Sequence, residues 1–253
     1  MQAPPAVRRD SVEAGGVRGH LVLPAVIGPC TRLVVVMHGV LRNGVEYAER
    51  WAPAATRGDR VVLVPELDGW GWPGSRAYNL GNATARGPSA FAAVERLCSR
   101  VRDRLGLADP GFVLWGHSAG AQFVHRFALF RPDAPVRLAI AAGAGWYTAP
   151  DLDVRWPYGL AHRRLSFTAD DVSRWAAAPV VLMRGTLDVQ PDLHLRATNR
   201  AMAQGRNRFD RAAWMHAQIH RVDPSSPWRL VDVPGVGHDD RLMARAAWPL
   251  LDA

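Results

Sequence analysis

Residues 116–120 read Gly-His-Ser-Ala-Gly and follow directly on the apolar run 112–115 (Phe-Val-Leu-Trp). A helical pattern, 121–129, begins straight after them. A free serine hydroxyl is a poor nucleophile. To attack a carbonyl it must be exposed, held near a base and set beside backbone N–H donors. A sharp strand-to-helix turn with glycine on either side meets those needs. Ser118 is therefore the first candidate for a catalytic residue.

Three further strand ends carry matching chemistry. The apolar run 180–183 leads into Arg184-Gly185-Thr186-Leu187-Asp188, and the run 230–233 leads into Pro234-Gly235-Val236-Gly237-His238. The run 33–37 leads into His38-Gly39-Val40. The backbone N–H groups of Val40 and Ala119 are the candidate donors to a developing oxyanion, one such donor being worth about 3 kcal/mol in the transition state.

These residues must be positioned by a sheet. The runs 33–37, 61–64, 112–115 and 180–183 are continuously apolar, and 136–142 is apolar but for Arg137, as in strands buried on both faces. Helices are predicted over 44–56, with Tyr47, Trp51 and Ala55 on one face, over 89–105, and from about Asp239 to Leu251. Strands alternating with helices predict an α/β fold with a parallel sheet covered on both sides. In such sheets function gathers at the carboxyl ends of strands. Residues 17–23 read as an edge strand, and 1–14 are expected to be weakly ordered. One domain over 1–253 is expected, with 146–175 as a lid-like, aromatic-rich insertion over the carboxyl edge of the sheet.

With an H-G-x loop, a G-x-S-x-G turn and Asp and His in that order, the chain resembles the α/β-hydrolases over nearly its whole length. More narrowly it is similar to serine esterases of the polyhydroxybutyrate-depolymerase-like and feruloyl-esterase-like type, which have little or no cap domain. The resemblance implies an α/β-hydrolase fold, a Ser118–His238–Asp188 triad and ester hydrolysis through an acyl-enzyme. In that scheme His238 takes the serine proton and returns it to the leaving group, while Asp188 orients the imidazole. It implies no cofactor.

Other residues compete for these roles. Asp192 lies four residues beyond Asp188, and Asp170, Asp171 and Asp223 are weaker candidates for the acid. Glu66 and Asp68 follow a strand that precedes the serine, so they are expected to shape a loop. His117 and His125 are expected to pack. His38 has no partners at metal-ligand spacing and is expected to brace the oxyanion loop. No spacing of Cys and His resembles a zinc site.

The long loop 66–88 leaves a strand end on the active-site side. Trp70, Trp72 and Tyr78 are predicted to wall an apolar pocket, with Trp146, Tyr147, Trp156 and Tyr158 on the opposite side. Arg76 is a candidate for an anionic substrate group, with a salt bridge to Glu66 or Asp68 as its alternative.

The net charge is +8, and all 31 basic residues are arginine. They are spread along the chain rather than clustered with recognition elements, which argues against nucleic-acid binding. The expected partner is a small or oligomeric ester. No apolar run reaches the roughly 20 residues that span a bilayer. The first residues lack the regions of a secretory leader, so a cytoplasmic location is expected, or a secreted one had a leader been removed. Two cysteines, Cys30 and Cys98, are too few for a disulfide framework and are expected to be idle or buried, with one mutual bridge as the alternative. A peptidase or amidase with the same triad, and a non-catalytic binding protein of the same fold, are the competing readings.

Overall fold

The apolar runs assemble into one eight-stranded sheet in the computed structural model, which describes residues 7–56 and 59–252. In chain order the elements are β1 (Arg8–Ala14), β2 (Val17–Leu23), β3 (Arg32–Met37), α1 (Gly44–Thr56), β4 (Arg60–Glu66), α2 (Gly74–Ala77), α3 (Ala90–Leu105), β5 (Phe112–His117) and α4 (Ala119–Phe130). Then come β6 (Val136–Ala142), α5 (Ala169–Ala176), β7 (Val180–Gly185), α6 (Asn199–Met202), α7 (Arg208–Val222), β8 (Arg229–Val233) and α8 (Asp240–Ala247), with a closing turn of 3₁₀ helix, Trp248–Asp252. The strand order is β1-β2-β4-β3-β5-β6-β7-β8. The pairs β1–β2 and β2–β4 are antiparallel and all others are parallel.

Both faces of the sheet are covered, which is why its central strands can be apolar at successive positions. On one side Val34, Val36, Val62, Trp115 and Ile140 pack with Trp51 and Tyr47 of α1 and Met243 of α8. On the other Val35, Leu63 and Leu114 pack with Phe91 and Leu97 of α3, Phe123 and Phe127 of α4, Trp175 of α5 and Met215 of α7. A fully buried side chain of this size contributes about 1.5–3 kcal/mol. Polar ends fix the helices. Ser89 caps α3 by accepting from Ala92 N–H, and Asp239 caps α8 by accepting from Arg241 and Leu242 N–H. Each cap is worth about 1 kcal/mol.

Several expectations need correcting. Residues 8–14 form a strand rather than a weakly ordered segment; residues 1–6 lie outside the described residues. β1 is polar and exposed because it is the true edge, with only Val12 buried. β2 is consequently interior, paired on both sides. The helix α7 carries no match among the sequence expectations. Cys30 is exposed and Cys98 buried, and both are free. Among the described residues no helix is long and apolar enough to cross a membrane.

Candidate active site

β5 passes into α4 through a single residue. Ser118 has φ 56° and ψ −112°, a strained conformation for a side-chain-bearing residue. Close packing of strand on helix holds it there. A Cβ on Gly116 would lie 2.4 Å from Gly120 O, and one on Gly120 would lie 2.3 Å from Met37 O. The Ser118 N–H donates to Ala142 O of β6 at 3.0 Å, and its carbonyl accepts from Gln122 N–H at 3.1 Å.

The loops after β7 and β8 are laced to each other. Thr186 N–H donates to Val233 O at 3.1 Å, Leu187 N–H to Val236 O at 2.9 Å, and Gly235 N–H to the Thr186 hydroxyl at 2.9 Å. This lacing brings His238 Nδ1 to 2.8 Å from Asp188 Oδ2. Asp188 is buried, whereas the His238 ring is partly open to solvent. Gly143, at the end of β6 with φ +60°, leaves the space they occupy: a Cβ there would sit 3.3 Å from His238 Nδ1 and 3.5 Å from Asp188 Oδ2.

Asp188 also meets a cation. Arg208, in the first turn of α7, places Nη1 at 3.3 Å from Asp188 Oδ1 and at 2.7 Å from Asp192 Oδ2, with Nη2 at 3.0 Å from Asp192 Oδ1. Its side chain is buried. The Arg208 guanidinium holds the Asp192 carboxyl down at about 2. Asp192 therefore binds the arginine and not the histidine. The other acids are engaged elsewhere: Asp171 in the capping box of α5, Asp223 with Ser225, Glu66 with His20 and Asp68 with the N–H groups of Trp70 and Gly71.

Three histidines are buried and neutral. His38 Nε2 accepts from Leu67 N–H at 3.2 Å, so Nδ1 carries the hydrogen and donates to Gly39 O at 3.0 Å. The Tyr78 hydroxyl donates to His38 O at 2.5 Å. These bonds brace the loop that carries Val40. Burial pushes the His38 pKa down to about 4. His117 lies between Trp115 and His238, its ring centroid 4.4 Å from that of His238. Burial, then the charges of His238, Arg208 and Arg50, holds it well below the ordinary imidazole range. His125 donates from Nδ1 to Ala121 O and accepts from Thr148 N–H on Nε2, and burial lowers it likewise.

Above Ser118 the cleft has two lobes. One, of about 510 Å³, is lined by residues that include Tyr47, Arg50, His117, His238, Asp239 and Asp240. The other, of about 560 Å³, is lined by residues that include Arg42, Tyr78, Ala119, Gln122, Trp146 and Arg208. Val40, Ser118 and His194 belong to both. Among the described residues no group of three or more His, Cys, Asp or Glu side chains could hold a metal ion.

Of the predicted pocket residues, Tyr78 and Trp146 reach the cleft. The rest are outside its lining. Trp70 is 97% exposed at a loop tip. Trp72 is buried in the core, its indole N–H donating to Gly16 O at 3.1 Å. Tyr147 is buried, with its backbone bonded in both directions to the Gln204 amide. Arg76 is exposed on α2. Sequence reasoning missed Arg42, His194, Arg196 and Arg208. For Arg208 a partial signal existed, since Asn207 followed three residues on by Asp210 marks a helix start.

No family model matches the chain, and neither does any curated protein. Solved structures do. Poly(aspartic acid) hydrolase-1 from Sphingomonas sp. KT-1 is 32% identical with a TM-score of 0.91, over 99% of this chain and 100% of that one. LpqC, the poly(3-hydroxybutyrate) depolymerase from Bordetella parapertussis, is 31% identical with a TM-score of 0.89, over 97% and 89%. FphF, a fluorophosphonate-binding serine hydrolase of Staphylococcus aureus, shares the fold at 16% identity and a TM-score of 0.62, over 99% and 98%. Fold and relatives together define a hydrolase. The chain belongs to the α/β-hydrolase family.

Proposed function

We propose that the protein is a serine hydrolase that cleaves carboxylic esters through an acyl-enzyme. Ser118 Oγ attacks the carbonyl carbon as His238 takes its proton. The carbonyl electrons move onto oxygen, facing the N–H groups of Val40 and Ala119. Collapse expels the alcohol, which leaves with the proton from His238, and water repeats the sequence to release the acid. Asp188 holds the imidazole tautomer with Nε2 free to accept. The observation that carries this reading is the 2.8 Å contact of His238 Nδ1 with Asp188 Oδ2, beside a serine in a positive-φ turn at the same cleft.

A fluorophosphonate probe with p-nitrophenyl butyrate tests it. The probe is expected to label Ser118, and Ser118→Ala to lower kcat by about 10⁴–10⁶-fold. Full activity in that variant rejects the reading.

Amide cleavage by the same residues is the second reading. What favours it is the 32% identity to a hydrolase named for a poly(amino acid). Comparing butyryl p-nitroanilide with the p-nitrophenyl ester separates the two: comparable kcat/KM on both supports an amidase, and turnover of the ester alone supports the esterase.

A further inference from the structure

The cleft is divided by charge at Ser118. Arg42, Arg196 and Arg208 line the larger lobe, and among the described residues no carboxylate lines it. The other lobe is lined by Glu46, Asp239 and Asp240 against a single arginine, Arg50, which bonds both Glu46 and Asp240.

Of the larger lobe's three arginines, Arg42 and Arg196 carry positive charge that no ion pair cancels among the described residues. Arg208 is matched by Asp188 and Asp192, yet its buried Nε has no acceptor among the described residues. Arg42 spends its hydrogen bonds on the carbonyls of Leu67, Asp68, Trp72 and Gly74 while stacking 4.3 Å over the Tyr78 ring. Arg196 lies over the rings of Trp146 and Tyr158. Behind the wall are two more buried guanidinium groups. Arg126 donates to Thr148 Oγ1 and to the carbonyls of Asn79 and Gln122; Arg211 donates to those of Gly145, Arg196 and Gly205. Among the described residues, none of Arg42, Arg126, Arg196 and Arg211 has a carboxylate within ion-pair distance. Cations satisfied only by neutral oxygens keep their field, and a low-dielectric wall focuses it into the cavity.

The mechanism decides which half of a substrate meets which lobe. The group that protonates the departing oxygen must lie on the leaving-group side. His238 lines the acidic lobe and not the arginine lobe. The leaving alcohol therefore occupies the acidic lobe, and the acyl chain runs past Ala119 and Gln122 towards the arginines.

Resting on the serine-esterase reading, we propose that the acyl half of the substrate carries a carboxylate, bound in the arginine lobe, and that the leaving alcohol carries no negative charge. Half-esters of dicarboxylic acids are the simplest members of this class. A guanidinium fork suits a carboxylate in geometry as well as charge, and the lobe has room for a chain of several carbons before the acid.

The test compares p-nitrophenyl hemiadipate with its uncharged isostere, p-nitrophenyl 6-methylheptanoate, on the intact chain, alongside fluorophosphonate labelling. At low salt kcat/KM is expected to favour the hemiadipate by about tenfold or more. The preference is expected to shrink in about 0.5 M NaCl, to fall in Arg196→Gln and to reverse in Arg196→Glu, a substitution at an exposed side chain that does not threaten the fold. A ratio of one or less in the wild type overturns the inference but leaves the esterase reading standing, as does labelling with neither ester hydrolysed. A preference indifferent to both salt and Arg196 also overturns it. Absence of both labelling and turnover overturns the esterase reading, and the inference with it.

Discussion

The carboxylate of Asp188 is held at both ends: Oδ2 faces His238 Nδ1 at 2.8 Å, and Oδ1 faces Arg208 Nη1 at 3.3 Å. Asp192 takes the rest of the Arg208 fork. On the proposed mechanism these two nearby aspartates have separable duties. Asp188→Asn is expected to lower kcat by about 10³–10⁴-fold with the cleft otherwise intact. Asp192→Asn is expected to retain most of kcat but to destabilise the fold by about 1–3 kcal/mol, since it removes a partner from a buried cation. The figure is kept low because the Asp192 carboxylate is 39% exposed. Initial rates and urea unfolding of both variants check the assignment; the reverse pattern would make Asp192 the acid.

Acid is expected to destabilise the protein below neutrality. His38, His117 and His125 are neutral in the folded state, with pKa values pushed below the ordinary 6.5. The unfolded chain therefore binds more protons as pH falls. Stability is full above about 6.5 and declines below it, each histidine adding a slope of about 1.4 kcal/mol per pH unit until its folded-state pKa is reached. For His38 that lower limit is about 4. Urea midpoints between pH 7.5 and 4.5 are expected to drop steeply; a level stability profile would contradict the neutral, buried state of these rings.

Gly143→Ala probes the space between β6 and the His238–Asp188 pair. The methyl group would press on both side chains at 3.3–3.5 Å and would adopt φ +60°. The backbone cost is about 1–2 kcal/mol. Activity is expected to fall by at least roughly tenfold through the displaced imidazole, about 1.4 kcal/mol of barrier. Wild-type kcat in a folded variant would show that the pair tolerates crowding from below.

Two tryptophans separated by one residue are expected to respond very differently. Trp70→Ala is expected to change stability by less than about 0.5 kcal/mol. Trp72→Ala removes a core ring and a partly buried hydrogen bond, and is expected to cost about 3–5 kcal/mol. Thermal unfolding of the two variants measures the difference.

The contrast also shows what the sequence made legible. Uninterrupted apolar runs marked β3, β4, β5 and β7, and a run broken only by Arg137 marked β6; the residues just after β5 and β7 held Ser118 and Asp188 with no need of long-range information. Which aromatics of a Gly-rich loop turn inward depends on tertiary packing, so Trp72 and Tyr147 looked like pocket walls and are core. Helix α7 was hidden because Arg208 and Arg211 are buried charges on its inner face, breaking the apolar stripe of Ala212, Met215 and Ile219. β1 was hidden for the opposite reason: an exposed edge strand needs almost no apolar residues.

The loops after β7 and β8 are tied to each other by backbone hydrogen bonds, and β8 is both the last strand in the sequence and one edge of the sheet. In the proposed mechanism the serine and the aspartate precede that strand in the sequence, and the histidine follows it. On that mechanism, a form in which β8 has not docked is expected to be inert. The lacing makes docking of β8 the event that brings His238 to Asp188.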